Sequence, residues 1–185
     1  MKVTPTALPD VLVVEPNVFG DARGYFFEAY SARRYQDAGI TATWVQDNVS
    51  SSQRGVLRGL HYQHPFGQAK LVGVLEGEVF DVAVDVRRGS PTFGRWVGQC
   101  LSSTSKRQLY IPPGFAHGFL VTSDRALVAY KCSEYFRPDA DRTIRWNDAR
   151  IGIDWPIDRP VLSPKDDAAP TLDAMPDGAL PAFAP

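Results

Sequence analysis

The stretch Arg54–Val72, RGVLRGLHYQHPFGQAKLV, places two arginines, two histidines and a lysine among residues typical of β-strands. A strand with one buried face has little room for so much charge. The cluster is therefore a solvated edge, a metal site or the working end of an enzyme. In LRGLHYQ nothing local satisfies the imidazole of His61, and a lone strand histidine is more often structural than catalytic. A catalytic His61 needs a partner from elsewhere in the chain.

A second histidine, His117, follows a Pro-Pro-Gly turn in IPPGFAHGF, an order that resembles small β-barrels of the cupin type. Metal-binding cupins carry a His-x-His pair and a nearby glutamate. Here His61 and His64 fall on opposite faces of a straight strand, and Glu76 lies beyond a turn and a new strand. We therefore expect no metal, although a metal-dependent cupin oxygenase or isomerase stays an alternative.

Two further segments carry groups that could transfer or orient protons. Tyr130 in YKCSEYF is an amphipathic core residue unless it faces a base across a cavity, where it becomes an acid candidate. Lys165, Asp166 and Asp167 cluster in LSPKDDAAP, which read alone is a solvated loop. A carboxylate that reached back to His61 would fix the tautomer of the ring and raise its basicity.

The overall totals favour one cytoplasmic domain spanning residues 1–185. The chain has 185 residues, 44% apolar content and a net charge of −1, and its basic residues form no run that predicts nucleic-acid binding. Its N-terminus has only a short apolar run, which predicts neither a signal peptide nor a membrane span. Without an export signal, Cys100 and Cys132 are expected to be reduced core residues.

The elements that must position these groups are mainly strands. Short β-rich runs separated by turn signals predict an all-β sandwich or barrel. In EVFDVAVDV, alternation predicts a half-buried strand with Asp81 and Asp85 on its polar side. One helix is predicted over SARRYQDAG, capped by Ser31 and ended by Gly39. The tail from Ala168 is expected to be irregular, a surface wrap or partly disordered.

Five segments together resemble one family in order and spacing: VFGDARGYFFEAY, VQDNVSSSQRGVLRGLHYQ, AKLVGVLEGEVFDVAVDVRRGSPTFGRW, YIPPGFAHGFLV and LSPKD. That family is the dTDP-4-dehydrorhamnose 3,5-epimerases, and the similarity runs from about Leu8 to Asp166. The resemblance implies a cupin-like jelly roll with a few short helices. It also implies an enzyme without metal or other cofactor, working as a homodimer that exchanges N-terminal strands, with no nucleic-acid or membrane partner.

The implied reaction inverts the carbons on either side of the ketone of dTDP-4-keto-6-deoxyglucose. By resemblance, His61 is the base and Asp166 its orienting partner, with Asp167 the adjacent alternative. Lys70 would stabilise the enolate oxygen, and Tyr130 would return the proton from the other face of the ring.

The resemblance also implies a set of substrate-binding residues. Arg58, and Arg23 from the second subunit, would hold the diphosphate, because a planar fork of donors suits phosphate oxygens. His117 would lie near the sugar. The remaining substrate contacts implied are Phe19, Glu28, Gln46, Asp47, Asn48, Phe136, Asp141 and Lys165.

Two of these positions depart from the family pattern. Phe136 stands where a tyrosine commonly stacks on thymine, and Asp141 stands where a glutamate is usual. Arg54 has no assigned role and is interpreted as a turn or surface residue.

Two other functions stay open: an epimerase that inverts a single carbon or acts on another 4-keto-6-deoxy sugar, and a sugar-nucleotide binder without catalysis.

Overall fold

The computed structural model describes residues 1–184 of the chain, and these residues form mostly β-structure. The strands are β1 (Lys2–Pro5), β2 (Leu12–Glu15), β3 (Val18–Asp21), β4 (Gly24–Phe27), β5 (Gln46–Gln53), β6 (Leu57–Gln63), β7 (Lys70–Glu76), β8 (Glu78–Asp85), β9 (Trp96–Ser102), β10 (Gln108–Ile111), β11 (Phe115–Val121), β12 (Arg125–Cys132) and β13 (Asp141–Thr143). The helices are α1 (Ala32–Asp37), α2 (Pro164–Asp167) and a 3₁₀ turn, Leu172–Ala174.

Two sheets carry the fold, and they confirm the predicted all-β, cupin-like architecture. The larger sheet has the order β1-β2-β10-β7-β12-β5, and the smaller one has the order β13-β6-β11-β8-β9. A separate hairpin, β3–β4, pairs only with itself. The His61 segment therefore lies in the smaller sheet and Tyr130 in the larger one.

The main core contains residues from both sheets. Val72, Val74 and Leu109 of the larger sheet share one buried cluster with Ala83 and Phe119 of the smaller sheet. Fully burying an apolar side chain of this size stabilises a fold by about 1.5–3 kcal/mol. The two sheets are thus held face to face by the inward positions of their alternating strands.

The strand β8 corrects one prediction, because both of its faces are buried. Asp81 and Asp85 lie on the side that alternation predicts to be polar. That side faces the interior, and neither side chain is exposed. Its other side, with Val82 and Val84, is covered by residues from the C-terminal part of the chain. Buried carboxylates need partners, and Asp85 accepts hydrogen bonds from Arg87, Ser90 and Thr92.

The C-terminal segment from Ala168 lies against the outer face of the smaller sheet. Leu172, Met175 and Leu180 are buried there. Backbone hydrogen bonds tie the segment to Arg88, which donates to Pro181 and accepts from Phe183.

The predicted helix forms as α1 and packs on the outer face of the larger sheet through the buried Tyr35. Gly39 ends it in the left-handed region at φ 88°, as expected, but the Ser31 side chain makes no capping hydrogen bond.

Both cysteines are free, yet only Cys132 is buried, so Cys100 is not a core residue. Within residues 1–184 the helices are all too short or too polar to cross a membrane.

Candidate active site

The strand β6 carries His61, which is partly buried, and β6 approaches β11 closely. Gly59 adopts φ 134°, and a Cβ added there would lie 2.5 Å from the Cα of Gly118. Only glycine allows two backbones to come so near. Two residues further on, His61 pairs in register with His117. The glycine of the RGLHY motif therefore fixes how closely the strand bearing His61 packs on its neighbour.

The partner that His61 requires is Asp166. Its Oδ1 lies 2.6 Å from His61 Nε2, and the carboxylate is buried whereas Asp167 is exposed. Ser163 Oγ accepts a hydrogen bond from the Asp166 backbone N–H and so fixes the start of α2. Burial by itself would raise the pKa of Asp166, but hydrogen bonds from His61 and Ser163 outweigh it and lower the pKa. An ionised Asp166 holds the Nε2–H of the imidazole and leaves the lone pair on Nδ1.

His61, Lys70 and Tyr130 line one cleft of about 350 Å³. His61 comes from the smaller sheet and Tyr130 from the larger one, where it pairs with Asn48 of β5. The base candidate and the acid candidate therefore project from opposite sheets into a shared space. Burial raises the pKa of Tyr130, and Arg58 acts in the opposite direction, so the phenol keeps its proton at neutral pH.

Lys70 begins β7 and is half-buried in the same cleft. Burial lowers the pKa of its ammonium group, while Cys132, Asp81 and Asp141 act to raise it. Within residues 1–184 its ammonium group has no hydrogen-bond or ion-pair partner. An unpaired donor in a cleft is free to bind an oxygen atom of a ligand.

A second histidine–aspartate pair lies deeper in the protein. His117 Nε2 is 2.9 Å from Asp81 Oδ2, and both side chains are buried. Burial lowers the pKa of His117 more than Asp81 raises it. The sequence pattern gave no sign of Asp81 as a partner of His117, because alternation placed it on a solvent face. His117 is not among the residues that line the cleft.

Arg58 lies in an adjoining pocket of about 260 Å³, together with His61 and Asp166. Its Nε donates a hydrogen bond of 3.1 Å to Ser52 Oγ, which holds the guanidinium group in place. The sequence contains no signal for Ser52 as the partner of Arg58. A fixed guanidinium beside the histidine–aspartate pair suits a phosphate oxygen.

The rim of the cleft brings together several other predicted binding residues. Lys165 and Asp141 form an ion pair there. The shorter Asp141 side chain therefore contacts Lys165. Phe136 is about half-exposed and lines the cleft. The other predicted residues that line it are Gln46 and Asn48.

Besides His117, four predicted binding residues lie outside both this cleft and the Arg58 pocket. Phe19 is exposed on the β3–β4 hairpin, and Arg23 at its tip bonds to Asp21. Glu28 pairs with Arg34. Asp47 pairs with Lys131 and lines a separate groove on the outer face of the larger sheet.

The described part of the chain contains no set of side chains that would support the metal-dependent alternative. Among residues 1–184, no three His, Cys, Asp or Glu side chains are grouped so that they could hold a metal ion. The two histidines with carboxylate partners are each engaged by a single aspartate.

A histidine paired with a carboxylate and a tyrosine line one cleft from opposite sheets, an arrangement that suits the removal and return of hydrogen on one substrate, and the arginine pocket beside them suits a phosphate. Fold and site together define a class of protein, the cupin-like sugar-nucleotide epimerases. Within that class, the sequence profile described as dTDP-4-dehydrorhamnose 3,5-epimerase matches residues 5–174. The chain belongs to the dTDP-4-dehydrorhamnose 3,5-epimerase family.

Individual relatives agree with this assignment. A dTDP-4-dehydrorhamnose 3,5-epimerase of Pseudomonas aeruginosa is 57% identical over 168 residues, which cover 90% of this chain and 93% of the relative. A crystal structure of dTDP-6-deoxy-D-glucose-3,5-epimerase from Legionella pneumophila, in complex with dTDP-4-keto-L-rhamnose, is 50% identical and superposes with a TM-score of 0.97 over 100% of this chain and 99% of its own. A 3′-monoepimerase from Streptomyces bikiniensis, in complex with dTDP-quinovose, is more distant at 37% identity and a TM-score of 0.90, covering 96% of this chain and 92% of its own.

Proposed function

We propose that this chain converts dTDP-4-keto-6-deoxyglucose into dTDP-4-keto-L-rhamnose by inverting carbons 3 and 5, with His61 as base and Tyr130 as acid. The observation that carries the proposal is their placement: they line one cleft from opposite sheets, and His61 is held at 2.6 Å by a buried carboxylate. The bound sugar nucleotide of the Legionella relative supports the choice of substrate.

Each inversion is a balanced pair of proton transfers. His61 removes the hydrogen next to the ketone as a proton, and the electrons of the broken C–H bond move to the carbonyl oxygen to form an enolate. Lys70 stabilises that oxyanion, an effect worth about 3 kcal/mol if it matches one oxyanion-hole donor. Tyr130 then gives its phenol proton to the opposite face of the carbon, and the carbonyl reforms. Proton exchange with solvent returns His61 and Tyr130 to their starting states.

A homodimer with exchanged N-terminal strands would complete the diphosphate site. The β3–β4 hairpin exposes Phe26 by 71% and Phe19 by 64%, and the outer face of the larger sheet exposes Val49 by 63% and Leu75 by 54%. Apolar surface of this kind marks an interaction site. Since Arg23 does not line the cleft of its own chain, we infer that it reaches the phosphates of a second copy.

A single-carbon inversion is the second candidate, because the Streptomyces bikiniensis relative is a 3′-monoepimerase. Turnover in deuterated water separates the two functions. Inversion at both positions places deuterium on carbons 3 and 5 of the product, whereas label confined to one carbon establishes the single inversion.

The roles of the two catalytic residues are tested by the variants His61→Asn and Tyr130→Phe. His61→Asn should lose both label uptake and product, because no enolate forms. Tyr130→Phe should still take up deuterium into unconverted substrate, since His61 can return the label to the face from which it removed hydrogen. Tyr110→Phe, altered on the outer face of the larger sheet, is the matched control and should retain activity. Full product formation by Tyr130→Phe would overturn the assignment of the acid.

A further inference from the structure

We propose that three glutamine side chains position the aromatic ring of Phe136 for the nucleotide end of the substrate. Gln46, Gln63 and Gln68 bind the consecutive residues Glu134–Arg137, and we call this set the glutamine clamp. The inference rests on the proposed function, because it assigns the clamp to binding of the nucleotide and leaves proton transfer to His61 and Tyr130.

Gln63 is the centre of the glutamine clamp. Its Nε2 donates to the carbonyl oxygens of Phe66 at 2.6 Å and Tyr135 at 3.2 Å, and its Oε1 accepts from the Arg137 N–H at 2.8 Å. Both Nε2 hydrogens are thus used within the protein. The side chain is 6% exposed, so its contribution to a ligand is made through the loop that it holds.

The other two glutamines bind the remaining residues of the segment. Gln46 Oε1 accepts from the Phe136 N–H at 3.0 Å, while its Nε2 donates to Asn48 Oδ1 at 3.0 Å. Gln68 Nε2 donates to the carbonyl oxygen of Glu134 at 2.8 Å. Each of the four residues from Glu134 to Arg137 therefore has one backbone group bound by a glutamine carboxamide.

The segment depends on these side chains because its backbone leaves the sheet. The strand β12 ends at Cys132, and of the four residues' backbone groups only the Arg137 carbonyl oxygen takes a backbone hydrogen bond, from Ala140. The carboxamides thus replace the ladder that would otherwise order this chain segment.

What the clamp holds is an aromatic surface at the mouth of the cleft. Phe136 lines the cleft yet leaves 53% of its surface exposed. A nucleobase stacked on an aromatic ring gains about 1–3 kcal/mol, but only where the ring is already in place. Gln63 lies two residues from His61 on β6, so the same strand carries the base and the centre of the clamp.

The test is the variant Gln63→Glu, measured by calorimetric titration with dTDP and by steady-state turnover. The substituted carboxylate would face the carbonyl oxygens of Phe66 and Tyr135, and their repulsion should displace the loop. We expect the Kd for dTDP and the KM to rise about tenfold, the equivalent of roughly one net hydrogen bond, with kcat within about twofold of wild type. Gln53→Glu, the same change on the exposed face of β5, should leave all three constants unchanged.

Two results would overturn the clamp: an unchanged Kd for dTDP in folded Gln63→Glu, or a lower kcat with KM and Kd unchanged. If Gln63→Glu does not fold, Gln68→Leu decides, since it removes a single hydrogen bond at the edge of the segment. There we expect Kd to rise about threefold with kcat retained, and an unchanged Kd overturns the proposal. Failure of the proposed function gives a different result, in which wild type binds dTDP but turns over no keto sugar.

Discussion

At the scale of single residues, the orientation of His61, the proposed base, depends on which of two adjacent aspartates reaches it. Asp166 and Asp167 stand together in the sequence, but only Asp166 points inward from α2 to His61. Asp167 is exposed. The selection follows from the helical turn, because neighbouring positions on a helix face different directions.

This selection predicts opposite outcomes for two equivalent substitutions. Asp166→Asn removes the charge that fixes the Nε2–H tautomer of His61, and kcat should fall about a hundredfold to ten-thousandfold, the range of general acid–base contributions. Asp167→Asn should leave kcat close to wild type. Steady-state turnover of the keto sugar, coupled to a 4-keto reductase, measures both.

Circular dichroism of the two variants provides the control for folding. A large loss of kcat in Asp167→Asn with normal activity in Asp166→Asn would show that the orienting carboxylate had been misassigned. Equal losses in both variants with altered spectra would instead indicate that α2 itself had been disrupted.

At the scale of elements, β8 shows why a period of two does not report burial by itself. Alternation in EVFDVAVDV separates Phe80, Val82 and Val84 from Asp81 and Asp85 correctly. The side with the aspartates faces the interior, and the side with the valines faces the C-terminal segment. Both sides are buried because a second layer of chain covers the outside of the sheet.

That covering layer should contribute measurably to stability. Leu172 is 2% exposed in the cluster formed with β8, and Leu172→Ala should lower the free energy of unfolding by about 2–4 kcal/mol, the cost of deleting a buried leucine side chain. Activity well below the melting temperature should be retained, because Leu172 lines neither the cleft nor the Arg58 pocket. Urea unfolding gives the free energy.

The comparison variant is Val161→Ala, whose side chain is 60% exposed and whose truncation should change stability by less than about 0.5 kcal/mol. If Leu172→Ala were as stable as Val161→Ala, the C-terminal segment would be only loosely attached. The burial of β8 would then have to come from elsewhere.

At the scale of the whole molecule, two arginines that the resemblance assigns to one diphosphate lie in different parts of the described chain. Arg58 lies beside His61, whereas Arg23 is at the exposed tip of a hairpin that pairs only with itself. A second copy that accepts this hairpin would bring the two together and would cover the exposed aromatic residues of β3 and β4.

Mixing two impaired variants tests this assembly. A hybrid dimer of Arg23→Ala and His61→Asn has one site with an intact His61 and an intact Arg23, so dissociating and reassociating equal amounts should restore about a quarter of wild-type activity. Neither variant alone should reach this level at limiting substrate. Size-exclusion chromatography with light scattering checks the dimer.

The absence of recovery in a mixture that light scattering shows to contain dimers would place Arg23 in its own chain's site or outside any site. The mixture of Arg54→Ala with His61→Asn serves as the matched comparison. Arg54 is bound to Asp124 on the surface, so Arg54→Ala should be active by itself and the mixture should show only the sum of its parts.

The sequence by itself determined the strand-rich fold, the α1 helix and the family, because these depend on local alternation, turn residues and the order of motifs such as RGLHYQ. It also identified His61 and Tyr130 as candidates from their types and contexts, and Lys70 through the resemblance to the family. Only the tertiary structure decided that Asp166 orients His61, that Asp81 is an interior partner of His117, and that three glutamines hold the Phe136 segment. The physical reason is that such contacts join residues far apart in the chain, and their distances are set by how the two sheets and the C-terminal segment pack.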